Sequence, residues 1–203
     1  AEEAKRMNVE SVTPHLPGAA MSVTRTPVGV TAAVTPWNFP CAMITRKAAA
    51  ALAAGCPMVV HPSSQTPFSA TALAELAERA GIPAGVFSIV TGDARSVVGE
   101  FCSDTRVRAL SFTGSTEVGR ILLAQGASTV KRMSMELGGH APFIVYPDVD
   151  LEEAVQGAVA AKFATTGQDC LAANRIFVHW DIYEDFVVRF SAATEALKTG
   201  DGL

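Results

Sequence analysis

The hydrophobic positions fall into two alternating patterns. Short runs rich in β-branched residues recur along the chain, and Ala-rich stretches with apolar residues at helical spacing separate them. The short runs predict strands over residues 28–34, 58–61, 86–90, 109–112, 132–136, 143–145 and 174–178. The longer stretches predict helices over 43–54, 66–80, 94–102, 115–125, 151–164 and 182–197. The punctuation agrees: Gly55 closes the first helix, Pro67 suits the first turn of the second, and Gly81 suits its end. Strands that alternate regularly with helices predict an α/β fold, a Rossmann-like parallel sheet with helices on both faces. The stretch before Val28 breaks the pattern. It holds Pro14, Pro17 and Gly18 and then an alternating run over 21–25, which predicts an extended arm or hairpin outside the main sheet.

Composition narrows the picture. Hydrophobic residues make up 49% and charged residues 18%, the balance of a chain with a well-filled core. Lys and Arg number 16 against 20 Asp and Glu, a net charge of −4 with no basic block, so nucleic acid is not an expected partner. No apolar run approaches the roughly 20 residues that span a bilayer, and the opening AEEAKR lacks the apolar core of a signal peptide. Cys41, Cys56, Cys102 and Cys170 are widely spaced and form no CxxC pair. Neither a metal site nor a disulfide framework is expected from that spacing, and free thiols fit a reducing cytoplasm.

Open parallel sheets bind ligands beyond the carboxyl ends of their strands, so the chemistry is sought after each strand: at 35–40, 62–65, 91–93, 113–116 and 137–139. The peptide Phe112-Thr113-Gly114-Ser115-Thr116-Glu117-Val118-Gly119 ends a strand and opens a helix, a ready anion site. It is neither GxGxxG nor a P-loop, and it reads equally well as a capped helix start. In Pro36-Trp37-Asn38-Phe39-Pro40, two prolines pin a loop whose amide could donate to an oxyanion; the plainer reading is that Asn38 caps the next helix. Glu136-Leu137-Gly138-Gly139 sets a carboxylate at a strand end, and Gly167-Gln168-Asp169-Cys170 sets a thiol in a loop. Each alone reads as ordinary surface or packing. Cys41, Cys56 and Cys102 are read as packing residues, and His15, His140 and His179 need no function.

Taken together, in this order and spacing, the four peptides closely resemble the aldehyde dehydrogenase superfamily, and the resemblance runs across nearly all of the chain. Within it the likeness is greatest to the succinate-semialdehyde dehydrogenases, through residues 42–47, 67–70, 141–145, 173–175 and 200–203. The resemblance implies oxidation of a small aldehyde, succinate semialdehyde or one like it, with NADP or NAD as cofactor. It implies that Cys170 is the nucleophile, that Asn38 and the Cys170 backbone N–H hold the oxyanion, and that Glu136 is the base for deacylation. It places Thr35, Pro36, Trp37 and Leu137 along the nicotinamide ribose, Gly114 and Ser115 at the pyrophosphate, and His61 and Ser64 at the adenosine ribose. Relatives commonly carry Lys in place of His61 and often Glu in place of Ser64. A carboxylate there would repel a 2′-phosphate and a serine does not, which favours NADP. His61 also reads as a packed strand-end histidine without a ligand role.

Arg46 matches one of the arginines that hold a distal carboxylate, a task suited to a guanidinium. The second of these is Ala164 here, which loosens the assignment to succinate semialdehyde. Ala172 stands where some relatives carry a second cysteine, so a disulfide between those two positions is excluded. The resemblance divides the chain into an arm or oligomerisation segment (1–27), a cofactor-binding domain (28–139) and the start of a catalytic domain (140–203). It also implies a homo-oligomer, a dimer or tetramer. Family members are more than twice as long. Two readings follow: part of a working dehydrogenase, or a non-catalytic nucleotide-binding or interaction fragment.

Overall fold

The computed structural model describes residues 2–7 and 10–201; of the matched peptide 200–203, the last two residues lie outside them. The chain divides into two compact units, residues 1–137 and 138–203.

The first unit opens with a short 3₁₀ turn, Glu2–Arg6, and an exposed antiparallel hairpin of β1 (Glu10–Val12) and β2 (Met21–Val23). The main sheet then uses β3 (Val30–Val34), β4 (Met58–His61), β5 (Phe87–Ile89), β6 (Val107–Gly114) and β7 (Arg132–Leu137). All neighbours are parallel, in the order β5-β4-β3-β6-β7. The helices between them are α1 (Pro40–Ala53), α2 (Pro67–Arg79), α3 (Ala94–Ser103) and α4 (Thr116–Ala127).

The central strand shows how one sequence feeds two layers. Neighbouring residues on a strand point to opposite faces. Ala33 joins Ile44, Ala48, Met58, Val60 and Ala70 in the core under α1 and α2. Ala32 joins Val98, Phe101, Cys102, Leu110, Phe112 and Leu122 in the core under α3 and α4. Two alanines in the middle strand allow both helical layers to approach it closely.

The helix limits are set locally. Proline stands at the start of α1 and α2, where its missing N–H is no loss. Hence α1 begins at Pro40, three residues before the apolar pattern indicates. Its end is fixed by Gly55 at φ +73°, whose N–H donates to Leu52 O at 3.0 Å while Cys56 N–H donates to Ala51 O at 2.9 Å. A side chain on Gly55 is strained there, and its Cβ would lie 3.0 Å from Pro27 Cγ. Gly55→Ala is therefore expected to lower stability by about 1–2 kcal/mol, read as a lower urea midpoint with an unchanged slope.

In the second unit, β8 (Ala141–Val145) pairs in parallel with β9 (Ala173–Val178), and α5 (Leu151–Phe163) forms the crossover. Asp150 caps α5, its Oδ1 accepting from the N–H groups of Glu152 at 2.9 Å and Glu153 at 3.0 Å. The last helix, α6 (Tyr183–Glu195), sends Phe186 into a core of Val145, Ala154, Val155 and Ala158. A 3₁₀ turn, Trp180–Ile182, leads into it, so α6 starts one residue later than its apolar pattern predicts.

Candidate active site

The order of the main sheet sets the site. From β3 the chain moves outward through β4 and β5, then returns to the other side of β3 with β6 and β7. The reversal lies between β3 and β6, and a crevice opens there at the carboxyl ends. Thr35–Asn38 follows β3, Gly114 and Ser115 close β6, and Glu136 and Leu137 end β7 in register with Thr113 and Gly114. His61 ends β4 in register with Val34. All the residues expected in the first unit, apart from Arg46 and Ser64, thus lie at or next to strand ends on one edge. Ser64 follows in the loop after β4, and Arg46 is exposed on α1.

Among the described residues, three buried hydroxyl oxygens have no hydrogen-bond partner: those of Thr35, Thr66 and Thr113. A buried hydroxyl left unpaired costs on the order of 1–3 kcal/mol. Thr35 and Thr113 follow the paired residues Val34 and Phe112 on adjacent strands, at the sheet's reversal point. Thr66 stands at the start of α2, beyond β4. Unpaired hydroxyls at this edge suit a polar ligand laid across the strand ends, and the residues present fit a dinucleotide.

The loop details are specific. Phe39 N–H donates to Asn38 Oδ1 at 3.1 Å, which orients the side-chain amide. The N-cap of α1 is Phe39 and has no side-chain cap bond, so Asn38 does not cap that helix. Ser115 does cap α4, its Oγ accepting from Val118 N–H at 3.3 Å, so the plain capping reading of that peptide holds for its serine. Gly114 admits no side chain without displacement, because a Cβ would lie 2.5 Å from the Phe112 ring. Gly119 likewise lets α4 pack on β7, with Leu137 Cδ2 2.6 Å from the Cβ position.

Beyond β4 and β5 lies a cleft of about 370 Å³ lined by His61, Pro62, Ser64, Pro67, Phe68, Thr71, Thr91 and Gly92. His61 is only 6% exposed. Its Nδ1 lies 2.9 Å from the carbonyl oxygen of Val90. It is both the packed strand-end residue and a wall of the cleft.

Lys47, within the matched peptide 42–47, carries no role from residue type alone. It is 9% exposed, and its Nζ donates to Ser111 Oγ on β6 at 2.7 Å. Burial lowers its pKa, the Glu136 carboxylate raises it, and Arg46 lowers it further. The signal was available: Ile44, Lys47, Ala48 and Ala51 share the i, i+3, i+4, i+7 spacing of a buried stripe. A second buried lysine, Lys131, donates to the carbonyls of Asp104 and Val107 and is satisfied by backbone alone.

Cys170 lies in the second unit, in the loop between α5 and β9, and is exposed. Thr166 and Gly167 adopt φ of +55° and +70° just before it. Lys162 ties the loop down, donating to Gly167 O at 3.0 Å and to Asn174 Oδ1 at 2.6 Å. The thiol donates to Asp169 Oδ1 at 3.4 Å, and Leu171 N–H donates to the same oxygen at 3.0 Å. Cys56 and Cys102 are buried, whereas Cys41 is exposed on the first turn of α1 and is not a packing residue. Among the described residues, no cluster of His, Cys, Asp and Glu is arranged to hold a metal, and no helix is long and apolar enough to cross a membrane.

The family described as "Aldehyde dehydrogenase family" matches residues 1–203. The aspartate-semialdehyde dehydrogenase (non-phosphorylating) of Halomonas elongata is 62% identical over 203 residues, all of this chain and 41% of that protein. The NADP(+) succinate-semialdehyde dehydrogenase of Escherichia coli is 56% identical over all of this chain and 42% of its own length. The crystal structure of succinate-semialdehyde dehydrogenase from Burkholderia pseudomallei superposes with a TM-score of 0.95 at 53% identity, over 99% of this chain and 42% of that one. The chain spans about two fifths of the length of these relatives. A match along every residue, on a chain whose main sheet carries three of the four peptides at its strand ends and whose second unit carries the fourth in the loop between α5 and β9, leads to one assignment: the chain belongs to the aldehyde dehydrogenase family.

Proposed function

We propose that the chain carries the cofactor-binding part and the nucleophile of an NAD(P)-dependent semialdehyde dehydrogenase. The observation that carries this reading is that Asn38, Glu136 and Cys170 are all intact in a chain that matches the family throughout. The competing reading, a nucleotide-binding fragment without turnover, has no such support.

The roles follow from side-chain chemistry. The Cys170 thiolate adds to the aldehyde carbon, and the carbonyl oxygen becomes an oxyanion that the Asn38 amide stabilises by hydrogen bonding. The bound dinucleotide supplies the hydride acceptor, and what remains on Cys170 is a thioester. Glu136 takes a proton from water, whose oxygen attacks the thioester carbon; the acid leaves and the thiol is restored. Thr35, Pro36, Trp37 and Leu137 line the nicotinamide end in this reading, Gly114 and Ser115 the phosphates, and His61 and Ser64 the adenosine end. The unpaired hydroxyls at the sheet edge support it.

The named relatives act on aspartate and succinate semialdehydes. Both substrates pair an aldehyde with a carboxylate, and the exposed guanidinium of Arg46 suits such a group. We assign a small semialdehyde bearing a carboxylate, with NADP preferred because Ser64 offers no charge against a 2′-phosphate. Four free cysteines support a cytoplasmic setting, and the exposed β1–β2 hairpin supports assembly as a homo-oligomer. The test is NADP or NAD reduction, followed at 340 nm, with aspartate, succinate and glutarate semialdehydes and with a neutral aldehyde of equal length. We expect kcat/KM to favour the carboxylate-bearing substrates by about 10-fold or more, a difference of roughly 1.4 kcal/mol. Equal use of the neutral aldehyde would overturn the substrate assignment.

A further inference from the structure

One charged side chain in the four peptides has no part in the chemistry set out above. In Gly167-Gln168-Asp169-Cys170 a carboxylate directly precedes the nucleophile. Asp169 is half-buried, and its Oδ1 accepts two hydrogen bonds, from the Cys170 thiol at 3.4 Å and from Leu171 N–H at 3.0 Å. Its backbone oxygen accepts from Ala172 N–H at 3.1 Å. The carboxylate is thus held beside the sulfur from both its backbone and its side chain.

No cation answers this charge. Among the described residues, no Lys, Arg or His forms an ion pair with Asp169, and its Oδ2 accepts no hydrogen bond. Lys162, the cation that ties the loop down, donates to Gly167 O and Asn174 Oδ1 instead. A fixed, unpaired carboxylate beside the attacking sulfur is badly matched to a substrate whose only charge is negative. It is well matched to one that also carries a positive charge close to its aldehyde.

We propose that Asp169 is a specificity residue that accepts a hydrogen bond from a substrate ammonium, so that the preferred substrates are amino semialdehydes with the amine on the second carbon beyond the aldehyde. The inference narrows the semialdehyde reading above and rests on it. Once the sulfur is bonded to the aldehyde carbon, such an ammonium stands about 4–5 Å from the sulfur by ordinary bond lengths. An N⁺–H···O⁻ bond is about 2.8 Å long, so a carboxylate oxygen 3.4 Å from that sulfur is within its reach. The bonded sulfur has no proton to donate. Oδ1 then keeps only the Leu171 N–H, and the ammonium supplies the donor that was lost. Succinate semialdehyde has a methylene at that carbon and its carboxylate one carbon further on. It offers Asp169 nothing to accept from and brings a like charge close to it. Selectivity therefore has an attractive and a repulsive part.

The test compares L-aspartate 4-semialdehyde with succinate semialdehyde in the active enzyme, followed at 340 nm. kcat/KM should favour the amino substrate by about tenfold or more, the scale of a hydrogen bond to a charged group. In Asp169→Asn the side-chain oxygen still accepts from Leu171 N–H, but the charge is gone. The preference should fall about tenfold, because the amino substrate loses its partner and the other loses its repulsion. Asp169→Glu keeps the charge and should still prefer the amino substrate. Should Asp169→Asn turn over neither substrate, calorimetry with the product acids reads the same choice: the wild type should bind L-aspartate more tightly than succinate, and the variant should not. Equal kcat/KM for the two semialdehydes in the wild type overturns the inference, and so does a preference, in turnover or in product binding, that Asp169→Asn leaves unchanged. Either result leaves the semialdehyde reading standing. If no semialdehyde supports reduction of NADP or NAD, that reading fails and this inference fails with it.

Discussion

Replacing Cys170 by Ala in the active enzyme is expected to lower kcat for aldehyde oxidation by about 10⁴-fold or more, the scale seen when a covalent nucleophile is removed. The chain holds two exposed thiols, Cys41 and Cys170, and two buried ones. Burial pushes the Cys102 thiol up in pKa, with Lys131 opposing, which keeps it protonated and inert. The contrast therefore lies between Cys41 and Cys170. Cys41 stands on the first turn of α1, whereas Cys170 sits in a loop held by two Lys162 hydrogen bonds and shaped by left-handed residues at 166 and 167. A threonine at positive φ is strained, and such strain is kept where a loop must present a group in one pose. Cys41→Ala should leave kcat unchanged. Full turnover by Cys170→Ala, with NADP binding retained as a fold control, would remove the nucleophile assignment.

The second large effect is expected at Glu136. Glu136→Gln keeps shape and hydrogen-bonding capacity but cannot take a proton from water. Turnover should fall by about 10²–10⁴-fold, while a single stoichiometric burst of reduced cofactor survives, because the thioester still forms. Rapid mixing followed at 340 nm reads the burst, and mass spectrometry of the quenched protein reads the acyl group on Cys170. Loss of the burst together with turnover would show that Glu136 acts earlier, at activation of the thiol. The buried ammonium of Lys47 feels the Glu136 carboxylate, so the substitution should also lower the pKa of Lys47 further by removing a charge that raises it.

Most of the architecture was legible in the pattern. Each strand of the main sheet falls where a short run between helical stretches predicts it, β3, β4 and β5 within runs rich in Val and Ile, and its helices follow from spacing, prolines and glycines. The reason is burial: the central strands β3 and β4 are covered on both faces and are almost wholly apolar, while β7 at the edge alternates polar with apolar residues. The hairpin expected before Val28 is present, and the bounds left open are those of the part that buries little. β1 is three exposed residues, Glu10–Val12, paired only with β2, and nothing in its sequence separates it from a loop. The site divides in the same way. Asn38, Glu136 and Cys170 were legible only in combination, since each alone is an ordinary polar residue. A lysine ordinarily lies at the surface, and only the place of Lys47 on the α1 stripe marks it as buried. The contact that holds the His61 ring could not be seen from its residue type. It required the Val90 carbonyl, contributed from 29 residues further along the chain.

The position of β3 also governs when the first unit can form. β3 and β4 emerge together, with Thr31 paired to Met58. The other edge of β3 needs β6, where Thr31 meets Ala109. Long-range pairing of this kind is slow, because the loop must close before its contacts form. During synthesis, a nascent chain that ends before Val107 therefore exposes the edge of its central strand, because Leu110, the partner of Ala32, is not yet made. Such an edge is open to pairing with other chains. Ribosome-stalled lengths on either side of β6 should differ sharply in protease resistance and in chaperone capture, with the break at the arrival of β6 rather than at the end of the sheet.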